Sequence, residues 1–140
     1  AADRVFSDLY SDEHARQALE SQLPGLNLTN PREVKRYLNV FRFYSFITYR
    51  HQLAGRPRAS GEAVAKLAAL TIRWPHLLSA LARESHPGRT FLDRLEAAAL
   101  EGDGDAWARA LADAALPDQD ELRQLLASRP AIARLARVLL

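Results

Sequence analysis

Apolar positions along the chain recur at helical spacing, about three to four residues apart, and no stretch alternates apolar with polar residues as a half-buried strand does. β-Branched residues are also few, so the pattern predicts an all-α fold: a compact bundle of seven or eight helices around one long central helix. Ser11 is placed to cap a first helix through about Gln22, and "LPGLNLT" breaks it. Asn30, Pro31 and Glu33 form the start signal of a long helix running to about Leu53, with cap, N-terminal proline and capping-box glutamate in order. After the break "AGRPRASG", Ser60 caps a helix from Glu62 to Arg73, and "RWPHLL" restarts one at Pro75 to about Arg83. "SHPGRT" is a further break, and Thr90 caps a helix to about Leu100. A helix from about Asp105 to Ala115 follows "EGDGD". Asp118 with Glu121 reads as a second capping box, and Pro130 opens a last helix to Leu140.

The long helix changes character midway. On a wheel of 100° per residue, Arg32, Lys35, Arg36, Asn39 and Arg42 share one arc of about 120°, with Val34, Tyr37, Leu38 and Phe41 opposite. Beyond Arg42 the polar arc is continued by Phe43 and Phe46, so apolar residues surround the axis. That predicts a C-terminal half enclosed as the rod of the bundle and an N-terminal half with one basic face exposed. Arg32 stands in the first turn, where the helix dipole disfavours a cation by about 0.3–1 kcal/mol. Two readings fit this placement. Either the basic face is solvated or paired with Asp or Glu of the first helix, or Arg32 and the free N–H groups of the first turn receive an anion.

Charge sharpens the contrast. The 140 residues carry a net +2, but residues 1–28 hold −3, residues 29–58 hold +6 and the remainder −1. A chain of this length buries roughly 70% of its unfolded surface, and its composition fits one helical domain over 1–140. The absence of cysteine excludes disulfides and thiolate metal sites. No signal peptide and no spanning apolar run is visible, so the chain is expected to be soluble and cytoplasmic, without membrane insertion.

The segment "NPREVKRYLNVFRF" resembles the "NPR-x-(I/V)-KR-(F/Y)-(L/V)-N" helix start late in KAP-type P-loop NTPases, which are AAA-like ATPases. "LAALTIRWPHLLSAL" (Leu67 to Leu81) resembles the helix and "RWP" element that follows it there. The likeness covers about residues 10–82 and leaves out the alanine-rich part at about 90–140. It implies a C-terminal, lid-like helical domain that packs on the ATPase core of the same polypeptide. Arg32 would be the candidate phosphate sensor, and Lys35 and Arg36 secondary contacts. ATP and Mg²⁺ are implied for such a parent, which the resemblance leaves free to associate with a membrane. This chain has no G-x-x-x-x-G-K-[ST] loop and no strand ending in a Mg²⁺ carboxylate, so it is not expected to be an enzyme or to bind a cofactor by itself.

Two further functions stay open at this point. A nucleic-acid-binding module would use Arg32, Lys35, Arg36, Arg42, Arg56 and Arg58 on phosphates, with binding that falls steeply with salt. A protein-interaction scaffold would need no ligand. The four histidines are dispersed and offer no metal pair at i+3 or i+4. Ser85 and His86 are adjacent in sequence, whereas a triad is defined by spatial neighbours, "EGDGD" carries too few ligands for a calcium loop, and Trp74 before Pro75 reads as a packing anchor. The terminal "AIARLARVLL" reads as a packed helix with Ile132, Leu135, Val138 and Leu139 inward.

Overall fold

The computed structural model describes residues 12–21, 28, 30–57 and 59–140. These form eight α-helices: α1 (Asp12–Ser21), α2 (Pro31–Leu53), α3 (Gly61–Arg73), α4 (Leu78–Ala82), α5 (Phe91–Glu101), α6 (Gly104–Ala114), α7 (Asp120–Ala127) and α8 (Ala133–Leu139). The all-α bundle is therefore observed. Among the described residues one 3-10 turn, Pro75–Leu77, precedes α4. The expected cap at Ser11 and most of the "LPGLNLT" break lie outside the described residues.

Helix starts follow the local chemistry. The Asn30 side chain accepts from Arg32 N at 2.9 Å, Ser60 Oγ from Ala63 N at 3.1 Å, and Asp103 Oδ1 from Ala106 N at 3.0 Å. Thr90 and Asp93 form a reciprocal capping box. Three expectations at helix ends are corrected. Glu33 does not close a box on Asn30 but reaches Arg73 at 3.5 Å. Asp118 accepts from Trp107 Nε1 at 3.0 Å and caps nothing, and α7 starts two residues later. Gln119 precedes that helix without capping it, because its side-chain oxygen accepts from Trp74 Nε1 at 2.6 Å. The last helix begins at Ala133 rather than Pro130.

The break "SHPGRT" is a small antiparallel hairpin, β1 (Glu84–His86) and β2 (Arg89–Thr90). Gly88, at φ 76°, takes the left-handed conformation that the third position of a type II turn requires, after Pro87. Strands this short leave no alternation to read in the sequence.

The enclosed helix is α3. All of Ala63 to Leu70 is buried, and four of those eight residues are alanines. Their small side chains let helices approach from several sides. The longer α2 lies on the flank, burying Tyr37, Leu38, Phe41 and Tyr44. Its C-terminal half is not the enclosed rod that its apolar periphery predicts: Phe43 is 60% exposed, Phe46 50% and Leu53 69%. An apolar side chain on every face does not bury a helix when neighbours cover only one. Tyr37 OH donates to Ala15 O at 2.8 Å, joining α1 to α2, and burial pushes its phenol above the ordinary range. In α8 the fully inward residues are Ala133 and Ala136, with Ile132 just before them, while Val138 is exposed.

An ion pair lies inside the apolar core. Lys66 of α3 and Glu96 of α5 are 1% and 2% exposed, with Nζ and Oε2 2.8 Å apart. Lys66 Nζ also donates to the carbonyls of Leu126, Ser128 and Pro130 at 2.6–3.1 Å. The Glu96 carboxylate accepts from Ile132 N at 2.8 and 2.9 Å and from Ala133 N at 2.9 Å, so it caps α8 from outside its own sequence. That is why α8 starts where it does. Burial pulls the Lys66 ammonium below its ordinary pKa, and Glu96 opposes the shift.

A more exposed joint also holds α8. Arg137 donates to Gly88 O and pairs with Asp93. Burial alone would raise the Asp93 carboxyl, but Arg137 and the Thr90 N–H and hydroxyl outweigh it and hold the group below its ordinary 3.8. The folded state thus binds fewer protons than the unfolded one below that value. The stabilisation is present above pH 3.8 and is lost as pH falls through the lowered pKa. Asp93→Asn should remove this part of the acid dependence, so unfolding midpoints for variant and parent chains should converge at low pH. Parallel curves between pH 2 and 6 would refute the assignment.

Candidate docking surface

Pro31 starts α2, Asn30 caps it and Tyr37, Phe41 and Tyr44 anchor its inner side, so the orientation of its outer side is set. Counting 100° per residue, Arg32, Lys35, Arg36, Asn39, Arg42, Phe43, Phe46, Arg50 and Leu53 fall in one arc of about 120°. All nine are exposed. At 1.5 Å per residue the strip is roughly 30 Å long. Its first half is basic and its second half is aromatic and aliphatic. The Arg50 guanidinium stands 5.9 Å from the centre of the Phe46 ring, a cation–π contact that leaves the rest of the ring open.

The structure separates the expected cations into three groups. Arg32, Lys35 and Arg36 are exposed on the N-terminal half of the strip. Arg42 is hydrogen-bonded and ion-paired to Asp12 of α1, and its guanidinium holds the Asp12 carboxyl below the usual range. Arg56 is exposed past the end of α2, and Arg58 lies outside the described residues. Pairing with the first helix thus holds for Arg42 and leaves the first three cations on an open surface. The anion-binding reading of the helix start is narrowed as well. The Arg32 N–H is already taken by Asn30, so an anion there would be met chiefly by side chains.

The helical pattern of α2 predicts Phe43 and Phe46 as core. Their exposure is the principal functional feature it misses; the signal is their place on the same arc as Arg32 and Asn39. The Lys66–Glu96 pair is missed as well, although a lone lysine inside "AVAKLAAL" is a visible oddity.

The remaining constellations fall out simply. Ser85 Oγ lies 2.9 Å from His86 Nδ1 and accepts from Arg94 Nη1 at 2.7 Å, while Asp113 pairs with Arg94 and not with the imidazole. The arrangement lacks the acid–imidazole contact of a triad. Asp103 is a helix cap, and Trp74 is buried as a packing anchor. Among the described residues no group of three or more His, Cys, Asp or Glu could hold a metal ion, and no helix is long and apolar enough to cross a membrane. No family model matches the chain, nor does any curated protein or any solved structure.

Proposed function

We propose that this chain is the helical accessory domain of a KAP-like or AAA-like P-loop NTPase, and that it docks on the ATPase core through the outer strip of α2. The observation that carries the reading is the strip itself. A basic segment and an uncovered aromatic segment lie in line on one rigid helix, and Phe43, Phe46 and Leu53 expose more apolar surface than a solvated face needs. The Asn30–Pro31–Arg32 helix start supports it, because the segment that resembles the NTPase family begins at that cap.

In this reading Phe43, Phe46 and Leu53 supply the apolar contact, while Lys35 and Arg36 set the register by charge. Arg32 reaches a nucleotide phosphate held by the core, since a guanidinium offers several donors in a fixed fork. ATP and Mg²⁺ belong to the core, and this chain adds no catalytic group.

The test begins with the parent reading frame, where a G-x-x-x-x-G-K-[ST] loop upstream of residue 1 is expected. In that full-length protein Arg32→Ala should lower ATP turnover by about tenfold or more, the loss of a charged phosphate contact. Phe43→Asp with Phe46→Asp should release the domain from the core in a pull-down of separately expressed parts. A parent without the loop overturns the proposal. Unchanged turnover in Arg32→Ala removes the sensor role alone.

A further inference from the structure

We infer that the cleft between α5 and α6 binds a small phosphate-bearing anion. The cleft is open to solvent and offers about 290 Å³. Arg89 reaches it from the hairpin, Arg94 from α5 and Arg109 from α6, with Glu101 the one carboxylate in its lining. Ala98 and Ala106 line it too, and their methyl groups are too short to fill it. Gly102 makes this geometry available. At φ 69° it closes α5 in the left-handed conformation and turns the chain so that α6 returns alongside.

The three guanidinium groups are not equivalent. Arg94 is fixed: it pairs with Asp113 at 2.9 Å, donates to Ser85 Oγ at 2.7 Å and lies 5.8 Å from the Phe91 ring centre. Arg89 and Arg109 are exposed, and the hydrogen bond from Arg109 Nε to Asp105 O is long at 3.4 Å. One arginine held by neighbours and two adjustable ones therefore line a single small volume. Guanidinium groups stay charged at every working pH and match phosphate oxygens in pairs. The open cleft has room for an anion of pyrophosphate size. Glu101 and Asp113 reduce the positive excess, so binding should be moderate and salt-sensitive.

This site is separate from the α2 strip and does not rest on the proposed docking role. The test is calorimetric titration of the whole chain with inorganic pyrophosphate at low salt. One saturable site is expected. Arg89→Gln with Arg109→Gln, both exposed and so tolerated by the fold, should weaken it by about tenfold or more. Arg129→Gln with Arg134→Gln removes the same charge elsewhere on the exposed surface and should leave the affinity within about twofold. No saturable binding overturns the proposal. Equal loss in both double variants overturns it too, because the anion would then follow net charge alone. So does loss on replacing Arg32, Lys35 and Arg36 with the cleft variant unaffected, which would move the site to α2.

Discussion

Glu96→Ala should destabilise the protein by about 3–5 kcal/mol, the cost of breaking a buried pair from one side. The substitution strands the Lys66 ammonium in a core where it is 1% exposed, and it leaves the N–H groups of Ile132 and Ala133 without an acceptor. For a chain of this size the melting temperature should fall by roughly 10–20 °C. Marginal stability of about 5–15 kcal/mol means that such a loss brings the fold close to its limit. Lys66→Met should cost less, because Glu96 keeps its backbone donors while the carbonyls of Leu126, Ser128 and Pro130 lose theirs. Lys66→Met combined with Glu96→Ala should cost less than the sum of the two single changes, since each removes the other's unpaired charge. Urea denaturation of the four chains decides the matter. A Glu96→Ala loss under about 1 kcal/mol would mean that water reaches the pair.

The second large effect is expected at Trp107. It is 1% exposed on the inner side of α6, its Nε1 donates to Asp118, and the Arg123 guanidinium of α7 stands 5.8 Å from the ring centre. Trp107→Ala removes the largest fully buried side chain in the core and should cost about 3–5 kcal/mol through the cavity it leaves. Trp107→Phe keeps most of the ring and gives up the hydrogen bond, so it should cost about 1–2 kcal/mol. The gap between the two variants separates packing from the polar tether. Equal losses would show that the Asp118 contact, not the filled volume, joins α6 to the segment before α7.

The parts of this fold legible in the sequence are those decided within a few residues. Asn30, Ser60, Thr90 and Asp103 announce their helices because a side-chain oxygen meets an N–H two or three positions on. Asp118 looked like another such signal and was not, because Trp107, eleven positions earlier, claims its oxygen. Which helix would be enclosed was not legible either. The aromatics of α2 read as the enclosed rod, and only the packing of α3 against its neighbours makes α3 the enclosed helix instead. Glu96 and Lys66 stand thirty positions apart, and no local rule pairs them. The candidate surface shows the same division. Its basic half follows from wheel arithmetic, whereas the exposure of Phe43 and Phe46 depends on what the rest of the chain leaves uncovered.

The Lys66 joint also has a bearing on the order in which the chain matures. Lys66 is made early, yet Pro130 O, one of its acceptors, follows sixty-four positions later. At a synthesis rate of about 5–20 residues per second, that is roughly 3–13 s of elongation. Through that interval α3 carries an ammonium whose partners do not yet exist, and sealing it inside apolar neighbours would be costly. A nascent chain should therefore keep α3 accessible, and open to chaperones, until the segment leading into α8 is made. Arrest at successive lengths should then give a sharp gain in protease resistance once residues 126–133 clear the ribosome, with little gain before.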